Sequence, residues 1–266
     1  MQQLMPCPCC LKVMEQKTKN YYSGTSGLIL PVPNKLHYPE QFKNRSRLCY
    51  YSSLMNTIEI NSSFYKIPMF RTVEKWACEV GNDFRFSFKL FKKITHGPQL
   101  GFDANELSRF MHAISAVGEK SGCLLVQFPP SIRIGNVPQL TRLIRCLLKN
   151  DARGEWKIAL EFRHPSLYVE EVMEILEKYG LGMVIHDKTM GAGPLRGPEN
   201  NFRYLRFHGP GGDYRGSYTE YFLSEYADYI AEWLTEGKEV FVYFNNTMGD
   251  ASGNLKMLCG LVADRV

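Results

Sequence analysis

Charged and polar side chains recur two residues apart at the ends of short runs that alternate with apolar residues. That spacing puts them on one face of a strand. In Tyr204-Leu205-Arg206-Phe207-His208, Arg206 and His208 share a face opposite Leu205 and Phe207, and Gly209-Pro210-Gly211-Gly212 stops the run. Thr57–Asn61 sets Glu59 and Asn61 against Ile58 and Ile60. Phe84–Lys89 sets Arg85, Ser87 and Lys89 against three phenylalanines, and Lys157–Arg163 puts Ala159, Glu161 and Arg163 on one face. Other runs end at Gln127, at His186-Asp187 and at Asn245-Asn246. Two glutamates on separate strands are the groups that acid/base catalysis uses, one donating a proton and the other accepting it. Glu59, Glu161 and His208 are therefore the candidate catalytic residues. Lys89, His96, Arg163 and Arg206 supply positive charge for an anionic substrate, and Arg offers a planar fork suited to carboxylate or phosphate. Asn61, Gln127, Asp187, Asn245 and Asn246 complete the substrate-binding set.

Each of these residues also has a purely structural explanation. Buried charges are costly unless paired, so Glu161 is equally explained as the partner of Arg163 or Arg206, and Glu59 as the partner of Lys89. The glycines of 209–216 and the run Asn246-Thr247-Met248-Gly249 resemble the loops that hold phosphate in barrels, but glycine also serves merely to shorten turns. Aromatic residues after strand ends (Phe64, Tyr65, Phe91, Tyr168, Tyr214) are suited to stacking on a sugar or base, or to packing loops. Glu59, Glu161, Asp187, His186 and His208 are available to a divalent ion, yet no H-x-x-x-H or H-x-D spacing concentrates them, so no metal site and no cofactor is expected. No serine stands in a G-x-S-x-G elbow and no cysteine ends a strand, which argues against covalent catalysis by either.

Positioning these groups requires many strands with their C-terminal ends together. From Asn20 onward the chain alternates short strand-like runs with longer helical ones. Strands are expected at Tyr21–Gly24, Thr57–Asn61, Phe84–Lys89, Cys123–Phe128, Lys157–Arg163, Gly182–Asp187, Phe202–His208 and Lys238–Asn246. Helices are expected at Ser46–Met55, Thr72–Val80, Asn105–Lys120, Val137–Lys149, Leu167–Tyr179, Tyr218–Glu236 and Ala251–Ala263, the last capped by Asp250. Leu28–Lys43 and the Gly/Pro-rich Lys188–Asn201 read as loops. Alternation alone fits a doubly wound open sheet as well as a barrel. Eight strands, the absence of G-x-G-x-x-G and Walker motifs, and a segment 20–266 close to ~250 residues favour an α/β fold of the (β/α)8 TIM-barrel type in one domain. In such a barrel all the polar strand ends meet at one mouth, whereas the strand starts read as mostly apolar or unremarkable.

Composition sets outer limits. The 266 residues are 44% hydrophobic and 22% charged with a formal charge of +5, an ordinary globular balance that by itself implies no nucleic-acid partner. No apolar run approaches the ~20 residues of a membrane span, and no signal peptide is visible, so a cytoplasmic protein without a membrane partner is expected. Of eight cysteines, five are scattered among apolar neighbours, and Cys7, Cys9 and Cys10 cluster without a second pair at zinc-site spacing. Residues 1–19 show no periodicity and read as a poorly ordered extension, with Met14 as an alternative start.

Several motifs taken together resemble a known family. Thr57-Ile58-Glu59-Ile60-Asn61-Ser62-Ser63-Phe64-Tyr65, Phe86-Ser87-Phe88-Lys89 with Ile94-Thr95-His96, and Gln127-Phe128-Pro129-Pro130-Ser131 are similar to the YecE-like family, domain of unknown function 72. So are Glu161-Phe162-Arg163-His164-Pro165-Ser166, Leu205-Arg206-Phe207-His208-Gly209 and Tyr243-Phe244-Asn245-Asn246. The resemblance spans about Tyr22 to the C-terminus and implies a TIM barrel; it carries no reaction with it. Leu28 and Leu167 stand where the family commonly has Trp, at places that would line the mouth. The function expected is acid/base chemistry on a small anionic or sugar-like molecule, by a hydrolase, isomerase or lyase. The alternatives are a non-catalytic nucleic-acid binder, with basic surface far beyond the mouth, and a metal-assisted phosphodiester hydrolase. The sequence leaves the oligomeric state open.

Overall fold

The structure, a computed structural model, describes residues 18–188 and 197–266. The Cys7, Cys9 and Cys10 cluster, Met14 and most of the Lys188–Asn201 loop lie outside the described residues. Eight strands form one parallel sheet: β1 (Tyr21–Thr25), β2 (Thr57–Ile60), β3 (Arg85–Lys89), β4 (Ser121–Gln127), β5 (Lys157–Glu161), β6 (Gly182–His186), β7 (Phe202–Phe207) and β8 (Glu239–Phe244). Its order, β1-β8-β7-β6-β5-β4-β3-β2, rolls the first and second strands together and makes the expected barrel. The described helices are α1 (Arg47–Leu54), α2 (Ser62–Tyr65), α3 (Phe70–Glu79), α4 (Lys92–Thr95), α5 (Ala104–Ile114), α6 (Val137–Asn150), α7 (Glu170–Lys178), α8 (Glu220–Thr235) and α9 (Ala251–Ala263). None of the described helices is long and apolar enough to cross a membrane.

Local chemistry explains most boundaries. Ser46, Asp103, Thr219 and Asp250 each place a side-chain oxygen on a free N–H in the first turn of α1, α5, α8 and α9. Two expected helices are shorter than their apolar pattern. The run from Asn105 ends at Ile114 and continues as 3-10 turns, broken where Gly118 adopts φ +57°. The run from Leu167 splits into a turn at Pro165–Leu167 and α7. The one-turn helices α2 and α4, inside loops at the mouth, have too little periodicity to be read from sequence.

Closure at the β1–β2 seam uses side chains. Asn56 accepts from the Ser23 N–H (2.9 Å) and donates to the Tyr21 carbonyl (2.7 Å). The Tyr51 hydroxyl accepts from the Thr25 N–H (2.8 Å) and donates to the Thr57 carbonyl (3.1 Å). Backbone pairing takes over only at the top, where the Gly27 N–H reaches the Glu59 carbonyl at 2.8 Å. Gly24 makes the approach possible, since a Cβ there would lie 2.1 Å from the Thr57 carbonyl oxygen.

Alternate strand residues fill the barrel in layers. At the floor Tyr22 stacks on Phe241 with ring centroids 4.6 Å apart. Lys157 pairs there with Glu239 at 2.7 Å, so the strand starts are less apolar than the sequence implies. In the middle the Tyr243 hydroxyl meets Thr57 Oγ1 and Ser87 Oγ, each at 2.7 Å. Above this lie Glu59, Glu161 and Arg206. A second, larger core of Leu, Ile, Val and Phe separates the barrel from its helices and includes Leu167, which is fully buried. Leu28 borders an outer groove with α1 and α3. Neither leucine is where the resemblance to the family places a mouth residue.

Candidate functional site

Arg206, on β7, is the centre of the mouth and is 1% exposed. Its Nε donates to Glu59 Oε2 (2.9 Å) and its Nη2 to Glu59 Oε1 (2.8 Å), the bidentate fork geometry. Nη2 also approaches Ser26 Oγ (3.4 Å), while Nη1 donates to Glu161 Oε2 (2.7 Å) and to His208 Nε2 (3.2 Å). All five guanidinium N–H groups are therefore engaged within the protein. Glu59 is equally committed: besides Arg206 it accepts from the Tyr204 hydroxyl (2.6 Å) and from Ser26 Oγ. Glu59 thus pairs with Arg206 and not with Lys89.

Glu161 lies between two guanidiniums. Its Oε1 forms an ion pair with Arg163 Nη2, without the alignment of a hydrogen bond. Burial pushes both carboxyls up, but the charge of Arg206, and for Glu161 that of Arg163 as well, outweighs it. Glu59 is held below its ordinary value and Glu161 well below. Both are ionised at neutral pH, so neither can donate a proton there. This differs from the acid/base pair expected of them.

His208 accepts at Nε2 from Arg206 and from Arg163 Nη2 (3.2 Å). Guanidiniums only donate, so the ring proton sits on Nδ1 and is donated to Asp187 Oδ1 at 3.0 Å. Burial is the largest influence on the imidazole; the Asp187 hydrogen bond pulls the other way and Arg206 pushes further down, to about 4. Asp187 is in turn held by the His208 backbone N–H (2.8 Å) and the Tyr218 hydroxyl. His208 is a neutral spacer between the carboxylate and the two arginines.

Two cationic groups retain capacity. Arg163 Nε is buried and has no hydrogen-bond partner among the described residues. Lys89, half-buried at the end of β3, has no carboxylate or carbonyl partner among the described residues; its Nζ lies 4.1 Å from the centroid of the Phe64 ring. Burial, then Arg206, push its amine down to about 8, against the pull of Glu161 and Glu59. Around them, Asn61 turns Nδ2 to Ser26 Oγ (2.5 Å) and leaves a buried Oδ1 unpartnered. Asn245 is buried just beyond the end of β8, and Gln127 is half-buried at the end of β4. His96 is exposed on the rim, with its ring 5.0 Å from Phe64. Lys188, which strand-end reasoning passed over, sits 4.2 Å above the Tyr214 ring, and Tyr214 packs beside His208.

Other expected ligand groups are partly taken up by the scaffold. Asn246 Nδ2 donates to the Gly216 carbonyl (3.1 Å) and to Asn254 Oδ1 (3.0 Å), tying the β7–α8 loop to α9, while its Oδ1 is buried without a partner among the described residues. Several N–H groups of the glycine loops are likewise engaged within the protein. The N–H groups of Gly212, Tyr214, Met248 and Asp250 donate to carbonyls of the same two loops or of His208, and Gly209 donates to the Tyr218 hydroxyl. A Cβ on Gly209 would lie 2.2 Å from the Arg215 carbonyl oxygen, so this glycine permits loop packing. Arg215 itself is exposed.

Ser26, Tyr204 and Tyr218 were missed as site residues. Tyr204 was legible, two residues before Arg206 and on the same strand face. Ser26 continues the inward phase of Gly24. Tyr218 lies beyond a loop and follows no periodicity that reaches the mouth. Among the described residues no three His, Cys, Asp or Glu side chains group as metal ligands do.

The family model described as "Protein of unknown function DUF72" matches residues 22–265. The UPF0759 protein YunF of Bacillus subtilis (strain 168) is 28% identical over 264 residues, covering 85% of this chain and 89% of its own. The UPF0759 protein YecE of Escherichia coli (strain K12) is 27% identical over 142 residues, 52% of this chain and 50% of its own. Among solved structures, a DUF72 family protein (TM1631) from Thermotoga maritima MSB8 superposes with a TM-score of 0.76 at 27% identity, covering 91% of this chain and 99% of that one. One from Enterococcus faecalis V583 (EF0366) shares the fold with a TM-score of 0.76 at 22% identity, covering 91% and 95%. With the family's motifs falling on the strand ends that build the mouth, the chain belongs to the DUF72 family of proteins of unknown function.

Proposed function

We propose that this protein is an enzyme that binds a small anionic molecule at the barrel mouth and acts on it by proton transfer. The observation that carries this is the division of labour among the buried charges. Glu59 and Glu161 are matched by Arg206 and Arg163, and Asp187 is held by His208 and Tyr218, while among the described residues Lys89 has no ion-pair partner and Arg163 Nε–H has no acceptor. A scaffold ion pair would set a carboxylate directly on the half-buried Lys89 ammonium, and neither Glu59 nor Glu161 is spent that way. An anion at Arg163 and Lys89 supplies the contact that both lack. The Glu59–Arg206–Glu161 lattice then serves to fix Arg163 and His208 in place. Proton transfer falls to Lys89, whose amine, near 8, is close to working pH, as an acid or base should be.

The test is calorimetric titration with inorganic phosphate and with a small carboxylate. Wild type binds one anion. Arg163→Lys keeps charge but loses the Nε–H and weakens binding about tenfold, the effect of one charge-assisted hydrogen bond. Lys89→Met abolishes it. Absence of binding to folded wild type, or unchanged binding in both variants, overturns the assignment.

A further inference from the structure

We propose that Lys89 is a covalent site: its ε-amine forms an imine with the carbonyl carbon of a substrate whose negative charge rests on Arg163. The inference deepens the anion-site proposal and rests on it. Its substrate class is small anions that carry an aldehyde or ketone, such as oxo acids or phosphorylated aldehydes.

Three observations converge on this lysine. First, the carboxylates that would normally hold it as an ammonium are engaged elsewhere, Glu59 by Arg206, Tyr204 and Ser26, and Glu161 by Arg206 and Arg163. Second, among the described residues Nζ has no hydrogen-bond acceptor; it lies over the face of the Phe64 ring, which suits a cationic iminium as well as an ammonium and holds the amine less firmly than a carboxylate would. Third, its strand is anchored: Ser63 Oγ donates to the Lys89 carbonyl at 2.7 Å, and the Leu90 N–H to the Leu125 carbonyl at 2.9 Å. A lysine that only neutralised an anion would gain nothing from a setting that weakens its charge. A nucleophile gains directly, because only the unprotonated amine attacks. Lowering the amine from 10.5 to about 8 raises the neutral fraction at pH 7 by about two orders of magnitude.

The step balances simply. The Nζ lone pair forms a C–N bond to the carbonyl carbon while the C=O π pair moves to oxygen, which takes a proton. The carbinolamine then takes one further proton on that hydroxyl and releases water as the C–O bond breaks. One proton of the amine is lost to solvent in between. The product is a protonated imine whose positive charge stands where the ammonium stood, over Phe64. Amine, carbonyl and one proton yield iminium and water, with no oxidant or reductant.

The test traps the imine. Full-length protein is incubated with glyoxylate and cyanoborohydride from pH 6.5 to 9, and carboxymethylated lysines are mapped by peptide mass. Lys89 is expected to react at least ~10-fold faster than the exposed Lys66 and Lys92, with a rate that levels off near pH 8. Propanal, which lacks the anion, should label it several-fold more slowly, and inorganic phosphate should protect it. Labelling of Lys89 no faster than Lys66 overturns the inference; if phosphate still binds by calorimetry, the anion site stands without covalent chemistry. Equal rates with propanal and glyoxylate overturn the substrate class. If phosphate neither binds nor protects, the anion site itself fails. The primary measurement is made on wild type, so it does not depend on how any variant folds.

Discussion

Removing the Arg206 guanidinium leaves buried Glu59 without a counter-ion and Glu161 with Arg163 alone. Arg206→Met is expected to cost ~3–5 kcal/mol at pH 7 in urea denaturation. Its pH dependence should also invert. In wild type Glu59 and Glu161 titrate below the ordinary 4.5, so their stabilisation is complete above that pH and is lost as pH falls through their folded values. His208 acts in the same direction: its folded value of about 4 lies below 6.5, so the unfolded chain takes up the proton first as pH drops from 6.5 towards 4. Wild-type stability should therefore decline on acidification, while Arg206→Met, in which burial of Glu59 is no longer opposed by a charge, should gain between pH 7 and 5. Lys89 predicts the opposite trade. Lys89→Met removes a half-buried charge without an ion-pair partner among the described residues and should raise stability at pH 7 by about 1 kcal/mol while abolishing anion binding, a separation readable by thermal shift and calorimetry on one sample.

Among elements, the β1–β2 seam is where the barrel depends most on single side chains. The Tyr51 hydroxyl and the Asn56 amide each occupy the place of a ladder bond, and each satisfies one N–H and one carbonyl of the strands. Tyr51→Phe should cost ~1–3 kcal/mol, since it strands the Thr25 N–H and the Thr57 carbonyl in a dry interior. Hydrogen exchange should localise the damage. The Thr25 amide loses protection, while amides in β4, paired by backbone on both sides, keep theirs. Equal loss across the barrel would show that the seam is no weaker than the other strand pairs. Because Glu59 is on β2 and Ser26 follows β1, a loosened seam should also weaken anion binding.

At the scale of the molecule, one sheet links every described strand, and the mouth draws Arg206 from β7, Glu59 from β2, Glu161 from β5 and Lys89 from β3. No subset of strands could hold this lattice alone. Unfolding is therefore expected as a single transition, with near- and far-ultraviolet circular dichroism changing together. Two separated transitions would show independently folding parts. The proposed anion site uses only Arg163 and Lys89, so anion affinity should fall only modestly with salt, unlike that of a protein that neutralises many phosphates.

Strand number, helix positions and the gathering of Glu59, Asn61, Lys89, Glu161, Arg163, Arg206 and His208 at one end were determined by the sequence, because period-two alternation and helix caps are local properties of the chain. Tyr204 was within reach of the same rule. Partner choice was not. Whether Glu59 faces Lys89 or Arg206 depends on barrel stagger, which no local pattern encodes, and a shift of one layer would have exchanged the two. The same holds for Asn246, whose Nδ2 turned toward Asn254, and for the glycine loops, several of whose N–H groups found acceptors within the protein. Tertiary structure alone decided which charges are paired with which, since that depends on distances between residues as far apart in the chain as Glu59 and Arg206.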